Sequence, residues 1–564
     1  MKTKHTTEAL WLSAFLILIA AISIMPFVFE NSIHSQDDLI FHKERLENYY
    51  LTVRQLDFFP KVFPTMAGGY GYGADIFYPS LFLLPFALFR LIGFSFVQAY
   101  YLFQFCLSLA TGISAFYVFK QLTTQRAAYI GTLLYTLSTY RLIDQFVRGA
   151  LGETLAFIFL PLVLLGVYEV SVGNQQRWWF LGIGMSGILS SHLITAFYTA
   201  IIVMILFLGA LIKNQLDIRV RITAMLKAIL LGGLLTAWII LPMLEQLSAL
   251  SFNLTNVSLG QNALNYQLGQ LLTNSISTVT EPWNNLSPNI GICLVIVLVS
   301  ALITWKQTRL ATKLVTLLAL TLFALSTNLF PWSLFKDTIF ATIQFPWRLL
   351  IFVSLAASLL ACQLVMEHPK AQRPSFIMVI TALVFIITLG FNSNVLHQTT
   401  VMGFAPLTNE DYLTQRHADI GYGQEYLVQG TNYNELKEAP HKYITVNGKR
   451  WLNFDQQVIQ QTYKTTTIQL PVNAVSTGEM IISVPLFYYV GYQVVTEQGV
   501  FLESYSENGL VTFISPGNTN SFTITYERTP TQRLALLLSS LTLVVTCIWF
   551  LSSYIIEKKK EADP

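Results

Sequence analysis

A short acidic segment near the start of the chain carries residue types that can act as a general base. Asp37 and Asp38 are adjacent, and His42 and Arg45 follow one and two helical turns after Asp38. This spacing predicts a helix with these side chains on one face. A carboxylate is ionised at neutral pH, and a second carboxylate or a dry site raises its basicity. The pattern fits a base, and it fits a capped surface helix with solvated charges equally well.

The same residues allow two kinds of ligand. An arginine can hold a phosphate oxygen through two hydrogen bonds, which makes Arg45 a candidate phosphate contact beside the acids. The aspartates together with His42 can instead ligate a divalent cation, because carboxylate oxygens and imidazole nitrogens are common metal ligands. The sequence does not decide between them, and it indicates no other cofactor.

A second charged cluster follows an apolar run that ends near Thr139. Arg141, Asp144 and Arg148 are spaced for one helix face, and Glu153 precedes the next apolar run. Ionisable side chains at membrane depth cost about 2.5–3.5 kcal/mol each on insertion scales, so they are usually paired or functional. The cluster predicts either a closed set of salt bridges or an arginine pair that binds a lipid phosphate.

Two isolated positions complete the candidate site. Arg348 ends the segment that begins at Gln344, and it is either an interface anchor or another phosphate contact. His192 lies between two apolar runs, where a lone histidine is more often structural than catalytic. The sequence contains no Walker motif, nucleophile elbow, metalloprotease motif or dinucleotide fingerprint.

The composition shows which class of protein must position these residues. Of the 564 residues, 53% are hydrophobic and 12% are charged, whereas soluble domains carry about 25% charge. The formal net charge of +3 is small and dispersed, which argues against a nucleic-acid partner. The four cysteines all lie in apolar runs, so no disulfide framework is expected. The composition therefore predicts a polytopic membrane protein.

Apolar runs predict about twelve spans, because about 20 apolar residues cross a bilayer. Short segments with lysine or arginine alternate with the runs and place both termini in the cytoplasm. The count is uncertain by one hairpin, and the short apolar segment 81–92 is interpreted as interfacial or re-entrant. The predicted spans are Ala9–Phe29, Phe96–Phe119, Ala127–Thr139, Thr154–Val170, Trp178–Ser190, Leu193–Ile212, Leu226–Met243, Ile290–Trp305, Lys313–Ser326, Leu349–Met366, Phe376–Gly390 and Leu534–Ile556.

The pattern changes from continuous apolar runs to alternation after residue 391. We predict a transmembrane domain over 1–391, whose first extracytoplasmic loop covers 30–95. An extracytoplasmic β-rich domain covers 392–530, and a last span with a cytoplasmic tail covers 531–564. Asn447-Gly448 between alternating segments predicts a hairpin. The predicted strands are 443–446, 449–454, 465–470, 480–484, 488–496, 509–514 and 521–526, which suggest a β-sandwich.

Several motifs resemble a bacterial membrane family labelled 6-pyruvoyl-tetrahydropterin synthase-related and close to YfhO-like proteins. Nothing in the sequence suggests pterin chemistry. The resemblance spans nearly the whole chain, with the motifs in order. They are Asp38-Leu-Ile-Phe-His42-Lys-Glu-Arg45, Gly69-Tyr-Gly-Tyr-Gly with Phe77-Tyr-Pro, Tyr140-Arg-Leu-Ile-Asp144 with Val147-Arg-Gly-Ala-Leu-Gly-Glu153, and Pro485-Leu-Phe-Tyr-Tyr-Val-Gly-Tyr492.

The resemblance implies a GT-C-like fold and a GT-C-type glycosyltransferase that uses a polyprenyl-phosphate-linked sugar. Asp38 matches the aspartate of the family's His-Asp motif, and Asp37 stands where histidine is usual, which leaves the roles of the two acids open. The implied catalytic residues are therefore Asp38 and Asp37. Donor phosphate contacts are expected from Arg45, Arg141, Arg148 and Arg348, with His42, Asp144, Glu153 and His192 in support.

Cellular chemistry agrees with a membrane-borne donor. Nucleotide sugars are made inside the cell, so a transferase with an exterior site needs an activated sugar carried by a lipid. The expected partners are the bilayer, a polyprenyl-phosphate-linked sugar and a cell-envelope polymer or glycolipid acceptor. Two alternatives remain at this stage, a lipid or glycan flippase or transporter, and a noncatalytic envelope scaffold.

Overall fold

The computed structural model describes residues 2–34, 37–213, 217–254, 266–281, 286–401, 406–414, 418–452 and 458–562. Most of these residues are helical. The helices are α1 Lys2–Ile24, α2 Leu39–Arg54, α3 Met66–Gly69, α4 Ala74–Phe77, α5 Leu84–Leu91, α6 Phe96–Leu122, α7 Gln125–Thr136, α8 Thr139–Leu142, α9 Leu151–Ser171, α10 Trp179–Leu189, α11 Leu193–Lys213, α12 Ile218–Leu235, α13 Ala237–Ala249, α14 Leu268–Ser277, α15 Gly291–Ile303, α16 Leu310–Leu325, α17 Leu350–Glu367, α18 Pro374–Val401, α19 Asn409–Thr414, α20 Tyr433–Glu438 and α21 Pro530–Ala562.

Seven helices of the described chain are long and apolar enough to cross a membrane, and they are α1, α6, α9, α11, α17, α18 and α21. The number is eight if α12 and α13, a pair bent at a short break, form one span. The sequence predicted about twelve. Each of the twelve apolar runs overlaps a helix, but α7, α10, α15 and α16 have 12, 11, 13 and 16 residues. At about 1.5 Å per residue they are shorter than the hydrocarbon core of about 30 Å.

Local sequence explains where the long helices begin. Ser95 precedes α6, and its hydroxyl accepts a hydrogen bond from the Gln98 backbone N–H at 3.3 Å, while the Gln98 side chain accepts one from the Ser95 N–H at 3.1 Å. This reciprocal pair is a capping box, which satisfies two backbone donors at the helix start. The helix then continues for 27 residues.

The C-terminal part of the chain is rich in strands. In chain order, the strands are β1 Ile33–His34, β2 Pro406–Leu407, β3 Tyr443–Val446, β4 Lys449–Leu452, β5 Ile459–Gln461, β6 Thr465–Gln469, β7 Met480–Phe487, β8 Tyr492–Thr496, β9 Phe501–Leu502, β10 Ser504–Glu507, β11 Leu510–Ser515 and β12 Ser521–Tyr526. The predicted hairpin is present, with Val446 opposite Lys449 across Asn447-Gly448. Strands β1, β2, β5, β9 and β10 were not predicted from the sequence. The end of the predicted strand 449–454 lies outside the described residues.

Two five-stranded antiparallel sheets form the β-domain. Their strand orders are β10-β11-β7-β3-β4 and β5-β6-β12-β8-β9. Alternating residues of both sheets meet in one buried core, which includes Ile482 and Phe513 from the first sheet and Ile468 and Phe522 from the second. Alternation along a strand buries one face of each sheet, so the arrangement is the expected β-sandwich.

The chain divides into two compact units. The first contains residues 1–43, 82–232 and 257–414, and the second contains 44–81, 233–256 and 415–564. Part of the first predicted loop, a short helical stretch and the last helix belong to the same unit as the β-sandwich. Each unit carries its own set of buried charges.

Candidate active site

Arg148 is the centre of an ionic cluster in the first unit, which we call the acid–arginine cluster. Its Nη1 lies 2.7 Å from Asp144 Oδ1 and 2.8 Å from Glu153 Oε2. Its Nη2 lies 2.9 Å from Asp38 Oδ2, and its Nε lies 3.6 Å from Asp37 Oδ2. The structure therefore gathers four predicted carboxylates around one predicted arginine, although the acids come from two separate segments of the sequence.

The cluster is buried at one end and open at the other. The side chains of Arg148, Asp144 and Glu153 are 4%, 0% and 1% exposed. Those of Asp37 and Asp38 are 37% and 42% exposed. The buried ions hold the guanidinium in place, and the guanidinium in turn fixes the two accessible carboxylates. A substrate group can reach the aspartate pair without entering the buried part.

An unusual backbone turn carries Arg148 to the acids. Ile143–Arg148 forms a π-helical turn, and the Ala150 N–H donates to the Asp144 carbonyl at 2.8 Å. Gly149 then adopts a left-handed conformation with a φ of +65°. A Cβ at this glycine would overlap the Leu39 side chain, so glycine allows the turn to approach the first residue of α2, directly after Asp38.

Glu153 also connects the cluster to an aromatic wall and a second arginine. The Tyr140 hydroxyl donates to Glu153 Oε1 at 2.7 Å, and the Arg148 guanidinium lies 4.8 Å from the centre of the Trp347 ring. Arg348 Nε is 3.8 Å from Glu153 Oε2. The predicted Arg348 therefore joins the cluster, with one short hydrogen bond from its Nη1 to Gln344 Oε1 at 2.7 Å.

Asp37 is electrostatically the most perturbed of the accessible groups. Its pKa is raised to about 7, first by burial and then by the charge of Asp38, against the opposing charges of Arg148 and Arg348. Its backbone is left-handed, with a φ of +49°. A carboxyl with a pKa near neutral pH is suited to proton transfer, because it exists in both forms at the working pH.

Arg141 lies outside the acid–arginine cluster, although the sequence placed it on the same face. It is fully buried, and its guanidinium donates to the Thr136 carbonyl, Gln145 Oε1 and Ser108 Oγ, each at 3.0 Å. Ser108 also accepts from the Ser23 hydroxyl at 2.7 Å. The π-helical turn changes the angular spacing after Arg141, so helical periodicity misassigned its direction. The contacts give Arg141 a structural role instead of the predicted phosphate contact.

Arg45 belongs to the second unit, where its contacts are complete. Its Nε donates to Ser80 Oγ at 3.1 Å, its Nη2 donates to the Pro79 carbonyl, and its guanidinium lies 4.0 Å from the Tyr78 ring centre. It is fully buried, and burial lowers its pKa. These contacts argue against Arg45 as an exposed phosphate ligand, and its burial argues equally against a solvated surface helix.

Of the two predicted histidines, His42 is buried and His192 is half-buried. His42 is buried beside the Phe41 ring, with 5.2 Å between the ring centres. His192 Nδ1 is hydrogen-bonded to Thr195 Oγ1 at 2.8 Å and is close enough to interact electrostatically with Glu153. Within the described part of the chain, no group of three histidine, cysteine or acidic side chains is arranged to hold a metal ion.

Sequence reasoning missed two residues of the cluster, Tyr140 and Trp347. Both are direct neighbours of residues that were singled out, Arg141 and Arg348. The available signal was their adjacency to charged groups at the end of an apolar run, where an aromatic ring or hydroxyl can stabilise a buried ion.

These features define a multi-pass membrane protein with a β-sandwich and a buried ionic cluster that opens through an aspartate pair. The family described as bacterial membrane protein YfhO matches residues 67–407. Because this range exceeds half of the chain, the chain belongs to that family. The pterin-synthase-related label finds no support in the comparisons.

Comparisons with curated proteins and with solved structures give different results. A search of curated proteins finds no match. Among solved structures, the chain is similar to the arabinofuranosyltransferase AftD from Mycobacteria, with 14% sequence identity and a TM-score of 0.44. The match covers 69% of this chain and 27% of that chain. This chain thus spans about a quarter of the length of AftD.

Proposed function

We propose that this protein is a GT-C-type membrane glycosyltransferase that moves a sugar from a polyprenyl phosphate to an extracytoplasmic cell-envelope acceptor. The observation that carries the proposal is the aspartate pair, which is half-exposed at one end of an otherwise buried ionic cluster. A base must be accessible to its substrate and fixed in direction, and Arg148 provides the second property. Membership of a bacterial membrane family agrees with a lipid-borne donor.

In the proposed reaction, Asp38 or Asp37 accepts the proton of an acceptor hydroxyl. The acceptor oxygen then attacks the anomeric carbon of the donor sugar, and the bond between that carbon and the phosphate oxygen breaks. The electron pair leaves with the polyprenyl phosphate, whose developing negative charge needs a cation nearby. Arg348 is the best candidate, because its only hydrogen bond within the described residues goes to a neutral amide oxygen.

Arg148 acts differently from the predicted donor contact in this proposal. Each of its three guanidinium nitrogens already faces a carboxylate. Phosphate binding by Arg148 would require at least one of these acids to move away or to be protonated. We therefore assign Arg148 as a positioning residue that holds the acid pair.

Transfer from a radiolabelled polyprenyl-phosphate sugar tests the proposal with purified protein in bilayer discs. We expect Asp38→Asn or Asp37→Asn to lower the rate by at least about 100-fold, the lower range for a lost general base. Asp411→Asn is the matched control, because this aspartate is exposed and accepts a hydrogen bond from the nearby Thr408 hydroxyl at 2.7 Å. Undiminished transfer by both variants of the acid pair, with unchanged thermal unfolding, would rule out this assignment.

A noncatalytic envelope scaffold is the second candidate. The observation that favours it is the closed contact set of Asp144, Arg148 and Glu153, which satisfies the buried charges without any ligand. A scaffold needs these ions only for stability. It therefore predicts that Asp38→Asn leaves every envelope phenotype of a deletion strain complemented, whereas the transferase predicts accumulation of the lipid-linked donor.

We propose further that both termini are cytoplasmic and that the β-sandwich is outside the cell, as the distribution of basic residues indicates. Single cysteines at Ser476 and at Lys558 distinguish the two sides when the native cysteines are replaced. A membrane-impermeant maleimide should label the first in intact cells and the second only after lysis. The opposite pattern would invert the topology and separate the β-sandwich from an envelope acceptor.

A further inference from the structure

The second unit contains a cavity of about 490 Å³, within the range of about 300–1,000 Å³ of small-molecule sites. Its wall combines the segment after α2, the turn between β5 and β6, and the residues around the start of α21. None of the residues of the acid–arginine cluster lines it. The proposed reaction therefore leaves this cavity without a role.

The charge of the wall is unbalanced toward cations. Two acidic side chains, Asp57 and Glu527, contribute to the lining. The basic side chains are twice as many, and they are Lys61, Lys464, Arg528 and Arg533. A concave surface with a positive excess favours an anionic ligand, because low-dielectric walls concentrate the field.

The ion pairs within the protein neutralise only part of this positive charge. Arg528 and Lys464 share Asp57, at 3.0 Å and 3.5 Å from its carboxylate oxygens. Arg533 is exposed and forms no ion pair with any residue of the described chain. Asp57 thus pairs with two of the cations, Arg528 and Lys464. Arg533 is available to a ligand.

Among the basic side chains of the wall, Lys61 would be stabilised most by a bound anion. It is buried, and its Nζ donates to the Trp238 carbonyl at 3.0 Å and lies 5.0 Å from the centre of the Trp238 ring. No carboxylate of the described residues lies within ion-pair distance. A buried ammonium without a counter-ion is costly, and burial accordingly lowers the pKa of Lys61 to about 8.

The position of the cavity in the sequence indicates where the anion comes from. The last candidate span begins at Pro530, between Arg528 and Arg533. Arg528 and Arg533 therefore flank the start of a candidate span, and the ends of a span are expected at the level of lipid phosphates. Tyr492 and Tyr526 also line the cavity, with 5.3 Å between their ring centres, and tyrosine is typical of the membrane–water interface.

We propose that this cavity binds the phosphate-bearing headgroup of a membrane lipid. Lys61, Arg528 and Arg533 contact the phosphate, and the tyrosines cover the part of the headgroup attached to it. The volume exceeds that of a phosphate alone and admits an attached glycerol or sugar. The chemistry fits either an anionic phospholipid or a polyprenyl phosphate, and the two sources are separated by experiment.

Binding measurements on the full chain in neutral detergent test the site directly. The probes are a short-chain phosphatidylglycerol, a short-chain polyprenyl monophosphate, a short-chain phosphatidylcholine and inorganic phosphate. We expect one of the two anionic lipids to bind at least tenfold more tightly than phosphatidylcholine and inorganic phosphate, and the tighter of the two identifies the source. Equal affinity for phosphatidylcholine, or full competition by inorganic phosphate at the same concentration, would overturn the lipid assignment.

Substitutions locate the binding within the protein. Lys464→Gln with Arg533→Gln changes two side chains at the mouth, of which Lys464 is 59% exposed, so folding should be preserved. Loss of Arg533, a proposed phosphate contact, together with the neighbouring positive charge of Lys464 should weaken binding of the anionic lipid by at least about tenfold, which corresponds to about 1.4 kcal/mol.

The matched control removes the same two charge types elsewhere in the unit. Lys449→Gln with Arg450→Gln alters exposed residues of the β3–β4 hairpin that do not line the cavity. Wild-type affinity in this control supports a discrete site, whereas an equal loss in both double variants would show diffuse attraction and overturn the proposal. The assay measures binding alone, so its result is independent of glycosyl transfer.

Discussion

The two units differ in how their buried charges are balanced. In the first, one arginine faces four carboxylates, and the excess negative charge reaches the surface through Asp37 and Asp38. In the second, the fully buried Asp75 lies near two fully buried cations, Arg45 and Lys61, whose short contacts go to neutral oxygens. The first arrangement presents carboxylates at the surface, whereas the second places one buried carboxylate near two cations, of which Lys61 also lines the cavity.

This difference separates charge used for reactivity from charge used for architecture. Asp75 Oδ1 accepts the Ser80 backbone N–H at 2.7 Å, and Ser80 Oγ accepts from Arg45. These bonds tie the segment after α4 to α2, and Asp75 is only 1% exposed. The acid–arginine cluster, in contrast, presents two carboxylates that a substrate can reach. Substitutions in the two regions should therefore have different signatures.

The largest effect should come from Arg148→Gln. It would leave Asp144 and Glu153 buried without their cation, and breaking a buried ion pair from one side costs about 3–5 kcal/mol. Thermal unfolding in detergent, followed by tryptophan fluorescence, should show a large loss of stability or no folded protein.

Arg450→Gln is the surface comparison for this change. Arg450 lies 2.9 Å from Glu435, with both side chains more than half exposed. Removal of such an exposed pair should change stability very little, because solvent screens the attraction. Equal losses in the two variants would mean that the Arg148 cluster is no more important to folding than a surface pair, and would break the contrast between the regions.

Asp75→Asn should have a smaller effect that depends on pH. Burial raises the pKa of Asp75 to about 6, against the opposing influence of Lys61 and the Ser80 hydrogen bonds. Because the folded state holds this proton more tightly, stability in the wild type is lost as pH rises from about 4 through 6. The loss is about 3 kcal/mol for a shift of this size.

The asparagine variant does not titrate at this position. In thermal unfolding, the stability of Asp75→Asn relative to the wild type should therefore increase as pH is raised from 4 to 7. Asp337→Asn, at an exposed position, should run parallel to the wild type over the same range. A constant difference between Asp75→Asn and the wild type would show that Asp75 is ionised throughout, in contact with its cations.

Gly149→Ala ranks third, because it tests the backbone that builds the acid–arginine cluster. Alanine at a φ of +65° is strained, and its Cβ would overlap Leu39. Gly430→Ala is the control, since Gly430 has a φ of +88° with open space around it. Both changes carry strain, but only the first adds overlap, so it should cost about 1–3 kcal/mol more. Equal thermal unfolding would mean that Leu39 moves away freely.

The sequence predicted the elements more successfully than the site. Apolar runs located helices because each run must be hidden from water, and Asn447-Gly448 located a hairpin because both residues tolerate positive φ. The described residues give seven or eight span candidates against about twelve predicted, because a run of 11–16 apolar residues suits a short helix as well as a span. Length alone separates these, and run boundaries in sequence are not sharp enough.

Within the site, local spacing predicted the pairing of Asp144 with Arg148 but not the direction of Arg141. An ideal helix would have aligned all three, and the π-helical turn at Ile143–Arg148 breaks that periodicity. The approach of Asp38 to Arg148 joins residues 110 positions apart. Such a contact depends on tertiary packing at Gly149, which the sequence does not display.

The smallest expected effect concerns the two aspartates themselves. Burial and the charge of Asp38 raise the pKa of Asp37 to about 7. Asp37 therefore contributes stability that is fully present below about pH 4 and is lost as pH rises from there through 7. Asp38→Asn removes one cause of the raised pKa of Asp37. The midpoint of the loss of stability should therefore move to lower pH by less than about one unit. Thermal unfolding between pH 5 and pH 8 measures it.

Asp37→Asn serves as the reference for this titration, because it should abolish the loss of stability near pH 7 altogether. A midpoint that rises in Asp38→Asn would mean that Asp38 acts mainly by holding Arg148 against Asp37, since loss of that contact would weaken the opposing cation. A midpoint that falls indicates repulsion between two carboxylates. Only the second outcome describes a pair in which one acid keeps the other protonated near neutral pH, ready to exchange a proton with a substrate hydroxyl.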